Sequence, residues 1–187
     1  MEWALWHADA MVFDFYYRLN ASRRREYERS DTLEAPGLDG ALMRPLGRHL
    51  QDALVSGDQT SVRLAAQAMA DVFSAQLQLP PVRVSVLRTR PQRGGSEYHG
   101  YYEGGEGGKK ARITLWMYTA RRRQVVAYRT FLRTLVHELC HHLDFEGFGM
   151  NESFHTEGFY RRESALFRLI LGEPPRGPAV RVTGQRA

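Results

Sequence analysis

Between residues 2 and 19 the chain sets Trp, Phe, Tyr and Leu at near-helical spacing, which predicts a buried or partner-docked helix. Asn20-Ala21-Ser22 breaks that pattern, and a charged stretch follows. Asp31, Pro36, Gly37 and Gly40 mark residues 30 to 40 as a loop. Leu, Val and Ala then recur at core-packing intervals over 41–55 and 59–77, two predicted helices separated by Ser56-Gly57-Asp58. Pro80-Pro81 closes the helical region, because proline cannot continue a helix and restricts the residue before it. From Val82 to Leu87 the pattern changes to strict alternation, the mark of a half-buried strand. Residues 97–103 and 111–118 predict two more strands, the latter with Ile113, Leu115 and Met117 on one face. The glycines at 104, 105, 107 and 108 lead into a strand. They read as a hairpin tip, since a phosphate loop opens a helix.

The longest helical pattern runs from 122 to 146, with Val125, Tyr128, Leu132, Leu135, Leu139 and Leu143 at three- and four-residue steps. Gly147 and Gly149 stop it. A last helix is predicted over 153–171 and ends at Gly172-Glu173-Pro174-Pro175. Residues 173–187 read as a flexible tail. The expected fold class is α+β, a single domain over 1–172. Its N-terminal part, 1–79, is helical, and 80–172 carries a small, mostly antiparallel sheet and the two later helices.

Composition adds limits. A chain of 187 residues is long enough for one real hydrophobic core, and 43% hydrophobic with 25% charged residues is ordinary for a globular protein. No apolar run reaches the roughly 20 residues of a membrane span, and the N-terminus lacks the basic and apolar regions of a signal peptide. A single cysteine, Cys140, excludes a disulfide framework and a cysteine-built zinc ribbon, so a cytoplasmic setting is expected. The formal charge of +5 is spread over short arginine clusters at 23–25 and 121–123, which favours an ordinary basic surface over dedicated nucleic-acid binding.

The chemistry concentrates in His137-Glu138-Leu139-Cys140-His141. Histidines four apart on a helix project from one face and can meet at one ion. Glu138 can reach a water at that ion from the side without binding the ion, the His-Glu-x-x-His arrangement of zinc hydrolases, where the glutamate is the general base. Thr130, Thr134 and Asp144 continue the same stripe. The small threonines leave room for a close neighbour. Asp144 opposes the macrodipole at a helix C-terminus, which a hydrogen bond to a ligand imidazole would explain; a solvated surface carboxylate is the alternative.

A catalytic zinc site has a third protein ligand, and His142, His155, Glu157 and Glu163 are available. His142 points roughly 100° away from His141 around the helix. His155 stands where a second helix would fold back on the first, and Glu163 lies about 12 Å further along that helix, so the two cannot share one ion. His155 is the expected third ligand, with Glu163 the alternative, and Glu157 projects away from His155. The spacing after His141 excludes the metzincin pattern, since Asp144 and Gly147 stand where its glycine and third histidine belong.

His137-Glu138-Leu139-Cys140-His141 followed by His155-Thr156-Glu157-Gly158-Phe159 resembles the SprT-like zinc metallopeptidases, over about residues 111 to 171. The resemblance implies a minimal zincin core with His155 as third ligand, and a strand above the active-site helix that holds an extended substrate, here Ala111 to Tyr118. It also implies a link to DNA-associated protein substrates through an appended zinc ribbon, which one cysteine cannot build. The function expected is a zinc-dependent peptidase acting on a protein or peptide, with Glu138 as base; a zinc-bearing binding domain without hydrolysis is the alternative. Tyr160, Arg161, His142 and Tyr101 are candidate oxyanion donors, Tyr160 foremost.

Overall fold

A computed structural model describes residues 13–89, 92–93, 96–97, 99–105, 109–119 and 123–174. The first predicted helix falls largely outside them. Its described end is a 3-10 turn, Asp14–Arg18, that gives way to extended backbone at Leu19. The charged stretch beyond it is itself helical, α1 (Ala21–Thr32), started by Asn20, whose side chain accepts from the Arg23 N–H at 3.0 Å. Only Tyr27 and Ser30 of α1 are buried. A helix that buries so little has no apolar period to read, so its pattern resembles a loop.

Helices α2 (Gly40–Ser56) and α3 (Gln59–Gln76) match their apolar spacing. Asp39 and Asp58 cap them by accepting from the N–H groups of Ala41 and Ser61, each at 2.7 Å. Strand β1 (Arg83–Thr89) follows, then the short pair β2 (Gln92–Arg93) and β3 (Ser96–Glu97), then β4 (Gly100–Glu103) and β5 (Arg112–Tyr118). The segment expected as one strand over 97–103 is therefore divided, with Ser96–Glu97 pairing to β2 and Gly100–Glu103 joining the main sheet.

The main sheet has the order β1-β5-β4 and is mixed, not mostly antiparallel. Strand β5 pairs antiparallel with β4, but it enters between β4 and β1 and runs parallel to β1, pairing Val84 with Ile113 and Val86 with Leu115. Alternation along each strand is local, whereas strand order depends on which edge the returning chain fills.

Helix α4 spans Tyr128–His142 and passes directly into a π turn, Leu143–Gly147. It starts six residues later than the pattern suggests. Val125 bridges to Tyr118, and the Val126 N–H donates to Met117 O at 2.8 Å, so sheet pairing holds that segment extended and leaves Val125 exposed. Helix α5 (Glu157–Leu171) likewise starts late, at a Thr156 cap that accepts from the Phe159 N–H at 3.0 Å, which leaves Ser153–His155 in the loop before it. The αL residue Gly172 (φ 71°) ends it.

One hydrophobic core joins α2, α3, β1, β5, α4 and α5, with Met69, Ile113, Leu115, Leu132 and Leu135 fully buried. Full burial of one such side chain contributes about 1.5–3 kcal/mol. The 1–79 and 80–172 segments thus share a single interior, into which α4 is sealed along its Leu132, Leu135 and Leu139 face. Among the described residues no helix is long and apolar enough to cross a membrane.

Candidate metal centre

Helix α4 presents His137 and His141 one turn apart, with ring centroids 4.9 Å from each other. The loop before α5 brings His155 to them, its centroid 4.7 Å from His137 and 5.0 Å from His141. One nitrogen from each ring falls within 4.8 Å of the others, and among the described residues these three form the one group of that kind. Tetrahedral zinc holding nitrogens at about 2.0–2.1 Å needs them roughly 3.3 Å apart. The His141 and His155 Nε2 atoms are already 3.0 Å apart. A set of neutral imidazoles suits zinc, copper, iron or nickel. Burial, reinforced by the neighbouring His137, holds His141 down at about 3 and His155 at about 4, so both rings are neutral at pH 7. The three residues fit a metal ion.

The rings are oriented from behind. Glu163 faces the far side of His137, where Nδ1–H donates to Oε2 at 2.9 Å, while Arg133 donates to its other oxygen at 2.6 Å. The alternative third ligand of the sequence is thus a partner of a ligand candidate, and its carboxylate is occupied away from the point where the three rings meet. Asp144 also departs from expectation. It is fully buried, so it is no surface carboxylate, and it reaches the imidazole of His141 only through Ser153. The π turn draws Asp144 under the loop and Ser153 fills the gap. His142 points inward, as its position on the helix requires. Its Nε2–H donates to Pro80 O at 2.9 Å and its Nδ1 accepts from the Tyr102 hydroxyl at 3.1 Å.

Glu138 is 5% exposed and lines one cleft of about 360 Å³ with His137, His141, His155, Ser153, Phe145 and the β4 residues Gly100, Tyr101 and Tyr102. Burial is the main reason its carboxyl is raised to about 7, with Glu163 adding to the shift and His137 opposing it. That value suits a proton acceptor working near neutral pH. The close neighbour for which the small threonines leave room is Gly100. A Cβ built there would overlap Glu138 Oε1 and lie 2.7 Å from Thr134 Cγ2, so only glycine lets the strand backbone approach Glu138 this closely.

The candidate oxyanion donors lie in different surroundings. Tyr160 is half-buried against His155 and Phe159 and lies outside the cleft lining, whereas Tyr101 is 52% exposed and lies within it. Arg161 turns to Glu157, at 3.2 Å. The strand beside the cleft is β4 and not the 111–118 segment, because β5 is hydrogen-bonded on both sides and has no edge to offer.

Ser153, Arg162, Gly100 and Tyr102 escaped sequence reasoning. Arg162 and Glu163 did leave a signal: both interrupt the apolar stripe Phe159, Leu166, Phe167, Ile170 at core-facing positions, where a charge requires a buried partner. Gly100 and Ser153 left none, since a lone glycine in a strand and a serine in a loop are common.

Comparison with known proteins finds no matching family model, no matching curated protein and no matching solved structure.

Proposed function

We propose that this chain is a zinc-dependent peptidase. The observation that carries this reading is the convergence of the His137, His141 and His155 imidazoles in one cleft with the buried carboxyl of Glu138 beside them. Zinc held by the three imidazoles supplies a Lewis acid for the substrate carbonyl and acidifies water. The remaining work falls to the chain. Glu138 sits on α4 next to His137, accepts the proton of the attacking water and delivers it to the leaving amine. Gly100, Tyr101 and Tyr102 line the cleft from β4, whose backbone offers hydrogen-bonding groups to an extended peptide. Tyr102 and Phe145, parallel to within 8° with centroids 5.7 Å apart, give that cleft an aromatic wall.

Glu138→Gln keeps the side chain's size but removes its capacity to take a proton. The variant is expected to fold and hold zinc as the wild type does, and to lose about 10²–10⁴ of the rate of chelator-sensitive casein cleavage. Equal rates for the two proteins would end the peptidase reading. Stoichiometric zinc in a wild type that cleaves nothing would support the zinc-bearing binding domain instead.

A further inference from the structure

Behind the cleft, Arg162 and Asp144 form an ion pair in which neither side chain has any solvent exposure. Guanidinium stays charged inside a protein, and burying it is costly unless every donor finds a partner. Each Nη group of Arg162 finds two acceptors, while its buried Nε–H has none among the described residues. Nη1 donates to Ser30 O at 2.6 Å and Leu33 O at 3.2 Å, where α1 ends. Nη2 donates to Ser30 Oγ at 3.2 Å and to Asp144 Oδ1 at 2.8 Å. The guanidinium thereby clamps α1, α5 and the π turn and fixes which oxygen of Asp144 remains free.

That oxygen, Oδ2, takes the hydroxyl proton of Ser153 at 2.6 Å. A carboxylate paired with guanidinium only accepts, so the Ser153 proton is committed and its lone pairs face His141. The His141 Nδ1 atom lies 2.7 Å from Ser153 Oγ. With the serine able only to accept there, Nδ1 must carry the hydrogen, and Nε2 is left with its lone pair turned toward His155 and His137. For His137 a single carboxylate, Glu163, performs this service directly. For His141 the charge is two side chains away.

We propose that Arg162, Asp144 and Ser153 are positioning residues that hold His141 in its Nδ1–H tautomer and so present Nε2 to the metal. The proposal rests on the metal-site reading above. It assigns a direction to every hydrogen bond in the chain, and that direction can be reversed. In Asp144→Asn the guanidinium still requires an oxygen, so the amide oxygen faces Arg162 and the amide N–H faces Ser153. The serine then accepts from the amide and donates to His141 Nδ1, which moves the hydrogen to Nε2 and blocks the donor atom. A role limited to packing predicts no such switch.

The test uses the full chain, with zinc affinity read by chelator competition and the His141 tautomer read by ¹⁵N NMR of the metal-free protein. Ser153→Ala is expected to weaken zinc binding about 10–100-fold, the usual loss when a partner of a ligand imidazole is removed. Ser153→Thr keeps the hydroxyl and is expected to restore wild-type affinity. Asp144→Asn is expected to shift His141 to the Nε2–H tautomer. If loss of the ion pair prevents that variant from folding, the two Ser153 variants decide. Wild-type affinity in Ser153→Ala, or an Nε2–H His141 in the metal-free wild type, would overturn the relay. A wild type with no zinc affinity would instead overturn the metal reading, and the tautomer still decides the relay by itself.

Discussion

At Gly100 a missing side chain sets the distance between a strand and a catalytic candidate. Any Cβ there collides with Glu138 Oε1 and presses on Thr134 Cγ2. In Gly100→Ala, either β4 lifts away from α4 or Glu138 rotates out of its pocket. Overpacking of this kind costs about 1–3 kcal/mol. The variant is expected to unfold at lower urea and to lose peptidase rate, while zinc affinity stays near wild type because the clash falls on Glu138 and Thr134 and not on a histidine. An unchanged rate and midpoint would show that β4 is not held against Glu138. Glu138 also shows how one residue's chemistry depends on surroundings that its own letter does not reveal. Its place in the His-Glu-x-x-His motif is legible in the sequence, but the burial that raises its carboxyl comes with β4 packed against it, and the charge of Glu163 adds to the shift.

Among the elements, the contact between β4 and α4 decides the shape of the cleft, and Tyr102 ties the two together. Its hydroxyl donates to His142, its ring stacks on Phe145 of the π turn, and burial pushes its hydroxyl well above the usual tyrosine range. His142 is held neutral, because burial lowers it more strongly than the Pro80 carbonyl raises it. Tyr102→Phe leaves His142 Nδ1 as a buried acceptor without a donor, which costs about 1–3 kcal/mol. Urea unfolding is expected to register that loss, and an unchanged midpoint would mean that water replaces the hydroxyl. Helix α1 has a comparable role on the other side. Its Asp31 accepts from the Gly158 N–H at 2.7 Å, at the start of α5, and its Ser30 and Leu33 carbonyls hold Arg162. A segment whose sequence reads only as charged therefore braces the helix that follows His155.

At the scale of the whole molecule, the three candidate ligands come from two places, α4 and the loop before α5, which only the packed core holds together. Zinc should therefore bind the folded chain and not the unfolded one. By linkage, free zinc at about 1,000 times Kd adds about 4 kcal/mol to stability. The melting temperature is expected to rise with zinc and fall with chelator in the wild type, and to respond to neither in His155→Ala. A zinc response preserved in His155→Ala would remove that residue from the site. What the sequence determined alone was whatever depends on neighbours along the chain: α2, α3, β1 and β5 through their periods, His137 and His141 through a four-residue step on one helix, and the turn of His142 away from His141 through a single further step. Tertiary structure alone decided that β5 lies between β1 and β4, that the cleft is walled by β4, that Glu163 serves His137 from behind, and that Asp144 reaches His141 through Ser153. Each of these is a meeting of segments far apart in the chain. Local spacing sets where a side chain points, but only the packing of the core sets what it points at.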